Sequence, residues 1–187
     1  MYTIRLLLGM LCLVNLGSYG LFAGHSLTKR KAITQQAARM EIINIARTQL
    51  SVRESGGNNR GPEVNAYLAY VGLAPGAKWC AAFVSWVYGK AGYVEPRNAW
   101  SPSLFPQRKR VTAVQTGDLF GIHYPALGRI AHCGIVESLK GDWLIGIEGN
   151  TSLAGSRDGD GVRRKRRHVK TIAVYADWIS RKGGSDE

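Results

Sequence analysis

Apolar and polar positions along this chain fall into two regimes, helical spacing as far as Gly92 and short strand-like runs from Thr116 onward. In residues 37–52, Ile43, Ala46 and Leu50 recur at i, i+3 and i+7 with Ile42 beside them, which predicts a helix with one apolar face. Gly56-Gly57-Asn58-Asn59-Arg60-Gly61 is a loop by composition. Pro62 suits the first turn of a second helix. Its stripe is Val64, Tyr67, Leu68 and Val71, and Gly72 ends it. Residues 79–88 are apolar almost throughout and start with Trp79-Cys80. They close at Ala91-Gly92, where glycine can take the left-handed conformation that ends a helix. A helix apolar on nearly every side is a central one.

Beyond Gly92 the periodicity is lost. Residues 93–116 are irregular, with Pro96, Pro102 and Pro106 and the basic run Arg108-Lys109-Arg110. Strands are expected at 118–124, 130–138 and 143–148, and over 162–174 in one or two pieces. Gly128 and Gly141 sit in the turns between the first three, as in an antiparallel meander. Helices first and strands second give an α+β fold.

Residues 1–24 read as a signal peptide or N-terminal anchor: Arg5 precedes an apolar core, and small residues follow at Ser18 and Ala23. Residues 25–36, with Lys29-Arg30-Lys31, read as a solvated linker, 37–182 as one folded domain and 183–187 as a disordered tail. The expected location is therefore outside the cytoplasm, in the periplasm, the cell envelope or the medium.

A cysteine in the first turn of a helix meets unpaired backbone N–H groups and the positive end of the helix dipole, and both favour thiolate. Cys80 is thus a candidate nucleophile. It needs a base and a group to hold that base. His132 lies in the apolar strand Ile130-Ala131-His132-Cys133-Gly134-Ile135-Val136, where a histidine is either a satisfied core residue or a catalyst. The next strand ends in Glu148-Gly149-Asn150, which brings two polar side chains within reach of a neighbouring strand. The period of two puts Glu148 and Asn150 on one face. It turns Cys133 away from His132. A Cys80–Cys133 disulfide, which would remove the nucleophile, stays open at this point.

The order helix-Cys, Gly-Asp before a strand, strand-His, then Glu-x-Asn resembles the CHAP amidase family, of the papain-like group that also holds the NlpC-type cell-wall peptidases. The matching pieces are Trp79-Cys80-Ala81-Ala82-Phe83-Val84, Thr116-Gly117-Asp118-Leu119, His132-Cys133-Gly134-Ile135-Val136 and Glu148-Gly149-Asn150. Asn58-Asn59-Arg60-Gly61-Pro62 and Gly155-Ser156-Arg157-Asp158 add weaker likeness. The resemblance implies a papain-like fold and hydrolysis of peptidoglycan amide bonds, as an N-acetylmuramoyl-L-alanine amidase or a peptide endopeptidase. It makes Cys80 the nucleophile and His132 the base, with Glu148 and Asn150 orienting the imidazole. Trp79, Asn59 and Arg157, in or beside the matching motifs, are expected to contact substrate. Asn58, Asn59 and Tyr67 are upstream candidates to complete an oxyanion hole, beside the Cys80 backbone N–H.

Charge adds a partner class without choosing within it. Lys and Arg number 25 against 13 acidic residues, a formal net charge of +12. Such a surface suits anionic wall polymers or a membrane surface. The aromatics sit inside apolar runs and not between the basic residues, so no specific nucleic acid is expected. A basic nucleic-acid-binding protein and a catalytically silent wall-binding module on the same fold are the alternatives. Arg163-Arg164-Lys165-Arg166-Arg167 reads either as a wall contact or as a charged edge strand. Asp158-Gly159-Asp160-Gly161 has part of a calcium-loop spacing, but Val169 stands where the last acidic ligand belongs, so it is read as a turn. The chemistry calls for no metal and no cofactor.

Overall fold

A computed structural model describes residues 19–153 and 158–180, with side chains from residue 32. The expected signal segment before residue 19, Arg157 and the tail 183–187 lie outside the described residues. The chain divides into two units, residues 1–34 and residues 35–187. The second unit holds the whole sheet and every described candidate site residue.

Among the described residues three helices precede the sheet: α1 (Tyr19–Thr48), α2 (Pro62–Tyr70) and α3 (Cys80–Lys90). The stretch 25–36, read as a linker, lies within α1. α2 begins on Pro62, whose missing N–H costs nothing at that position. A short 3-10 turn, Ser101–Leu104, sits in the proline-rich stretch. The strands are β1 (Arg110–Val111), β2 (Leu119–Tyr124), β3 (Arg129–Lys140), β4 (Trp143–Thr151), β5 (Gly161–His168) and β6 (Val174–Ala176). They form one antiparallel sheet in the order β1-β6-β2-β3-β4-β5. β1 was not expected, and the stretch expected over 162–174 in one or two pieces is β5 with β6 starting at its end. Two or three residues carry no period of their own; pairing with β2 defines β6, and pairing with β6 defines β1.

α3 is buried on almost every side and packs on β3 and β4 and against α2. Its core partners include Tyr67, Leu119, Cys133, Ile135 and Ile147. Gly149 lets β4 come close, because a Cβ there would stand 2.6 Å from the Phe83 Cβ and 2.8 Å from the Trp79 ring. Arg39 of α1 is buried and joins the helices to the sheet, giving Asp118 a bond of 2.7 Å and Asp177 one of 2.6 Å.

Three register breaks fall in the strands that carry the polar residues. Ala131 is extra in β3 between the pairs Ile122↔His132 and His123↔Ile130. Glu137 is extra between Val136↔Gly146 and Ser138↔Ile145. The third lies between Glu148 and Thr151 of β4. Each extra residue resets which way the next side chain points.

Candidate active site

Cys80 is the first residue of α3, and Trp79 before it supplies no side-chain cap. The N–H groups of that first turn therefore lack partners within the helix. The thiol is 6% exposed and opens on a cleft of about 520 Å³. Ser101, His132, Asn150 and Arg167 line the same cleft. At its rim Arg129 lies over the exposed Trp100 ring, 4.1 Å from the centroid, and Lys78 pairs with Asp158.

His132 Nε2 lies 2.8 Å from Glu148 Oε2. A carboxylate only accepts, so this nitrogen carries the proton and donates. The other ring nitrogen, Nδ1, is left for the thiol. Glu148 is fully buried and also accepts from Arg167, Nε to Oε1 at 2.7 Å and Nη2 to Oε2 at 2.6 Å. Burial pushes the Glu148 carboxyl up, but the bonds and charges of Arg167 and His132 outweigh it and hold the group at about 2. Burial pushes His132 down, and its bonds to Cys80 and Glu148 win, raising it to about 9. The Cys80 thiol is held well below its ordinary 9.0, first by a bond from Cys133, against burial, and then by His132 and Ser101. Both shifts favour a thiolate beside an imidazolium.

Cys133 lies in the buried core with Cys80, and the Cys80 thiol bonds both Cys133 and His132. Both sulfurs meet one buried hydroxyl, with Cys80 Sγ 3.4 Å and Cys133 Sγ 3.9 Å from Ser101 Oγ. Both thiols are free, which closes the disulfide question left open by the sequence.

The other expected site residues are placed differently. Asn150 lines the cleft, but its amide points to the loop after α1, donating to Asn59 Oδ1 at 3.0 Å and Glu54 Oε1 at 3.4 Å. The register break between Glu148 and Thr151, with Asn150 at φ 52°, undoes the alternation that put it beside Glu148. Trp79 is fully buried, donates to Glu54 Oε1 at 2.8 Å and stacks on Tyr67. It holds the loop and is not open to substrate. Asn59 is also buried, donating its N–H to Glu54 Oε2. Tyr67 spends its hydroxyl on Gln49 Oε1. Neither lines the cleft.

Two residues at the site were not singled out for it in the sequence. Ser101 opens the 3-10 turn, and its only local signal is Ser-Pro in a proline-rich stretch. Arg167 was one of five consecutive basic residues. β5 is one of the two edge strands, and each of the five has its own partner. Arg163 pairs with Asp160, Arg164 with Glu137 and Arg167 with Glu148. Lys165 bonds the Ser152 and Leu153 carbonyls, and Arg166 lies over Trp143. Asp158 and Asp160, in the calcium-like spacing, pair with Lys78 and Arg163.

No family model and no curated protein sequence matches this chain. Solved structures do. A hypothetical invasion protein of Mycobacterium tuberculosis superposes with a TM-score of 0.50 at 17% identity, over 79% of this chain and 64% of that one. The peptidoglycan hydrolase RipB of the same organism gives 0.49 at 17% identity, over 79% and 67%. The P60 domain of an antigen of M. avium paratuberculosis gives 0.47 at 17% identity, over 77% of this chain and 94% of that one. The helices, the sheet and the first of these neighbours agree on the fold, and the chain is an α+β domain of the papain-like kind.

Proposed function

We propose that this protein is a cysteine hydrolase that cleaves amide bonds of peptidoglycan. The observation that carries the chemistry is the line of contacts from Cys80 through His132 to Glu148, ending at one cleft. The substrate class rests on the family resemblance of the sequence motifs. The Cys80 thiolate attacks the amide carbonyl. The backbone N–H at the start of α3 faces the developing oxyanion, with the Ser101 hydroxyl as a side-chain donor within reach. His132, protonated, gives its Nδ1 proton to the leaving amine. Water, giving its proton to the now neutral imidazole, then displaces the acyl group as an acid and restores the thiolate–imidazolium pair. Glu148 keeps the imidazole in one tautomer and one orientation. The bond cut is either that joining the glycan to its first stem residue or one within the stem. Residues 1–24 would export the chain. Among the described residues no helix is long and apolar enough to cross a membrane.

The test is digestion of purified sacculi by the protein and by Cys80→Ala, with soluble fragments read by mass spectrometry. A new free amine on a stem residue, or a liberated stem peptide, names the bond. Equal release by the two proteins would refute the proposal, and wall binding without release would leave a silent binding module. DNA binding that weakens with salt, without wall binding, would favour the nucleic-acid alternative.

A further inference from the structure

The basic run of β5 was unassigned by the sequence, and one of its members reaches the site. We propose that Arg167 is a positioning residue for the nucleophile and base: it clamps both oxygens of Glu148, so that the carboxylate stays an acceptor and His132 keeps Nε2–H on Glu148 and Nδ1 toward Cys80. This rests on the proposed chemistry of Cys80, but not on the identity of the substrate.

The geometry is that of a bidentate guanidinium–carboxylate fork, two parallel charge-assisted bonds at 2.7 and 2.6 Å. Glu148 has no exposure to solvent, so without a cation it would be a desolvated carboxylate beside a single imidazole. Such a pair can settle by passing the imidazole proton to the carboxylate. His132 would then lose its fixed donor, and the ring its preferred tautomer. Arg167 cannot give up its own proton, so it blocks that exchange. The clamp also balances charge. Cys80, His132, Glu148 and Arg167 together make two negative and two positive groups in one line, buried except at Arg167, which is partly exposed. Removing the outer cation leaves a net negative cluster, which takes up a proton.

The other groups facing this line are few. Cys133 of β3 and Ser101 of the 3-10 turn stand on Cys80, Tyr124 of β2 acts on Arg167, and Asn150 of β4 turns to the 54–59 loop. None of these carries a positive charge, and the two other cations lining the cleft are engaged elsewhere, Arg129 over Trp100 and Lys78 with Asp158, so none replaces Arg167. Arg163 sits directly across from Glu148 in the β4–β5 pairing, yet it is turned to Asp160. The position four residues along the strand, and not the nearest one, supplies the cation.

The readout is alkylation of Cys80 by iodoacetamide as a function of pH, followed by peptide mass spectrometry. It reports the thiolate whether or not any wall substrate is cleaved. For Arg167→Gln the pH of half-maximal alkylation is expected to rise by about one unit or more, the effect of deleting a unit charge at close range in a site of intermediate dielectric. Arg167→Lys, which keeps the charge, should restore most of that midpoint. Arg164→Gln deletes a neighbouring, equally paired charge and should leave it in place. If circular dichroism shows Arg167→Gln to be unfolded, Arg167→Met, which keeps the packed stem, carries the same expectation. Profiles for Arg167→Gln or Arg167→Met that overlay the wild type would overturn the proposal. A shifted profile in a protein that releases no wall fragments would uphold it while refuting the hydrolase reading.

Discussion

Replacing Glu148 with Gln keeps the shape of the side chain and removes only its charge. In the native protein that charge is shared by two cations, Arg167 through two bonds and His132 through one. Its carboxyl lies at about 2 in the folded chain against an ordinary 4.5, burial opposing and the two cations prevailing. At about 1.4 kcal/mol per pH unit, this depression is a stabilisation of about 3 kcal/mol at neutral pH. Breaking one partner of a buried pair costs about 3–5 kcal/mol, which agrees. The sign fixes the window. A depressed carboxyl stabilises above its unfolded value, so the contribution is whole above pH 4.5 and is lost as pH falls toward 2. His132 runs the other way. Raised from 6.5 to about 9, it stabilises below pH 6.5, and its share fades as pH climbs through 9. Both describe the same His132–Glu148 bond, so the energy is counted once. Urea unfolding of wild type and Glu148→Gln, followed by far-UV circular dichroism across the pH range, should show the widest gap between pH 5 and 7. The gap should narrow on either side. A gap that stays constant from neutral pH to below pH 3 would refute a charged, clamped Glu148.

Two further changes probe the same site. Cys133→Ala removes the thiol that bonds the Cys80 sulfur, so the pH of half-maximal Cys80 alkylation should rise, with the fold retained by circular dichroism. Gly134→Ala puts a methyl 2.6 Å from Phe120 Cζ and 2.8 Å from Glu148 Cγ. It should cost about 1–3 kcal/mol in thermal unfolding and lower wall-fragment release by more than that loss of fold explains.

How much could be read from the sequence depends on how local each signal is. The period of the helices and the alternation of β2, β3 and β4 are properties of neighbouring residues, and α2 and α3 begin where Pro62 and Cys80 announce them. The pairing of Cys80 with His132 and Glu148 rested on the order of the elements, on β3 and β4 being neighbours, and on the family resemblance of the motifs, which named Asn150 as well. Asn150 failed because a register break is invisible to a period of two. Trp79 failed because an aromatic beside a reactive residue looks alike whether it faces inward or outward. Here Glu54, 25 residues upstream, decides it by accepting the indole N–H. Ser101 and Arg167 were missed for a third reason. Ser101 meets Cys80 from 21 residues away and Arg167 meets Glu148 from 19, and no local pattern records such a meeting.

The fate of the basic run also changes what the charge of +12 means. A block of five cations suggests a patch made for a polyanion. On β5, however, three of the five neutralise buried or nearby carboxylates, one stacks on Trp143 and one bonds backbone carbonyls. Ion pairing of this sort removes equal numbers of each sign, so the excess remains and has moved elsewhere. Among the described residues it falls on exposed, scattered side chains such as Arg60, Arg108, Lys140 and Lys170. A field of that kind raises the rate of encounter with an anionic polymer and weakens with salt, without fixing where the polymer sits. Neutralising the β5 arginines one at a time should therefore disturb the Glu137 and Glu148 contacts before it disturbs attraction to an anionic polymer.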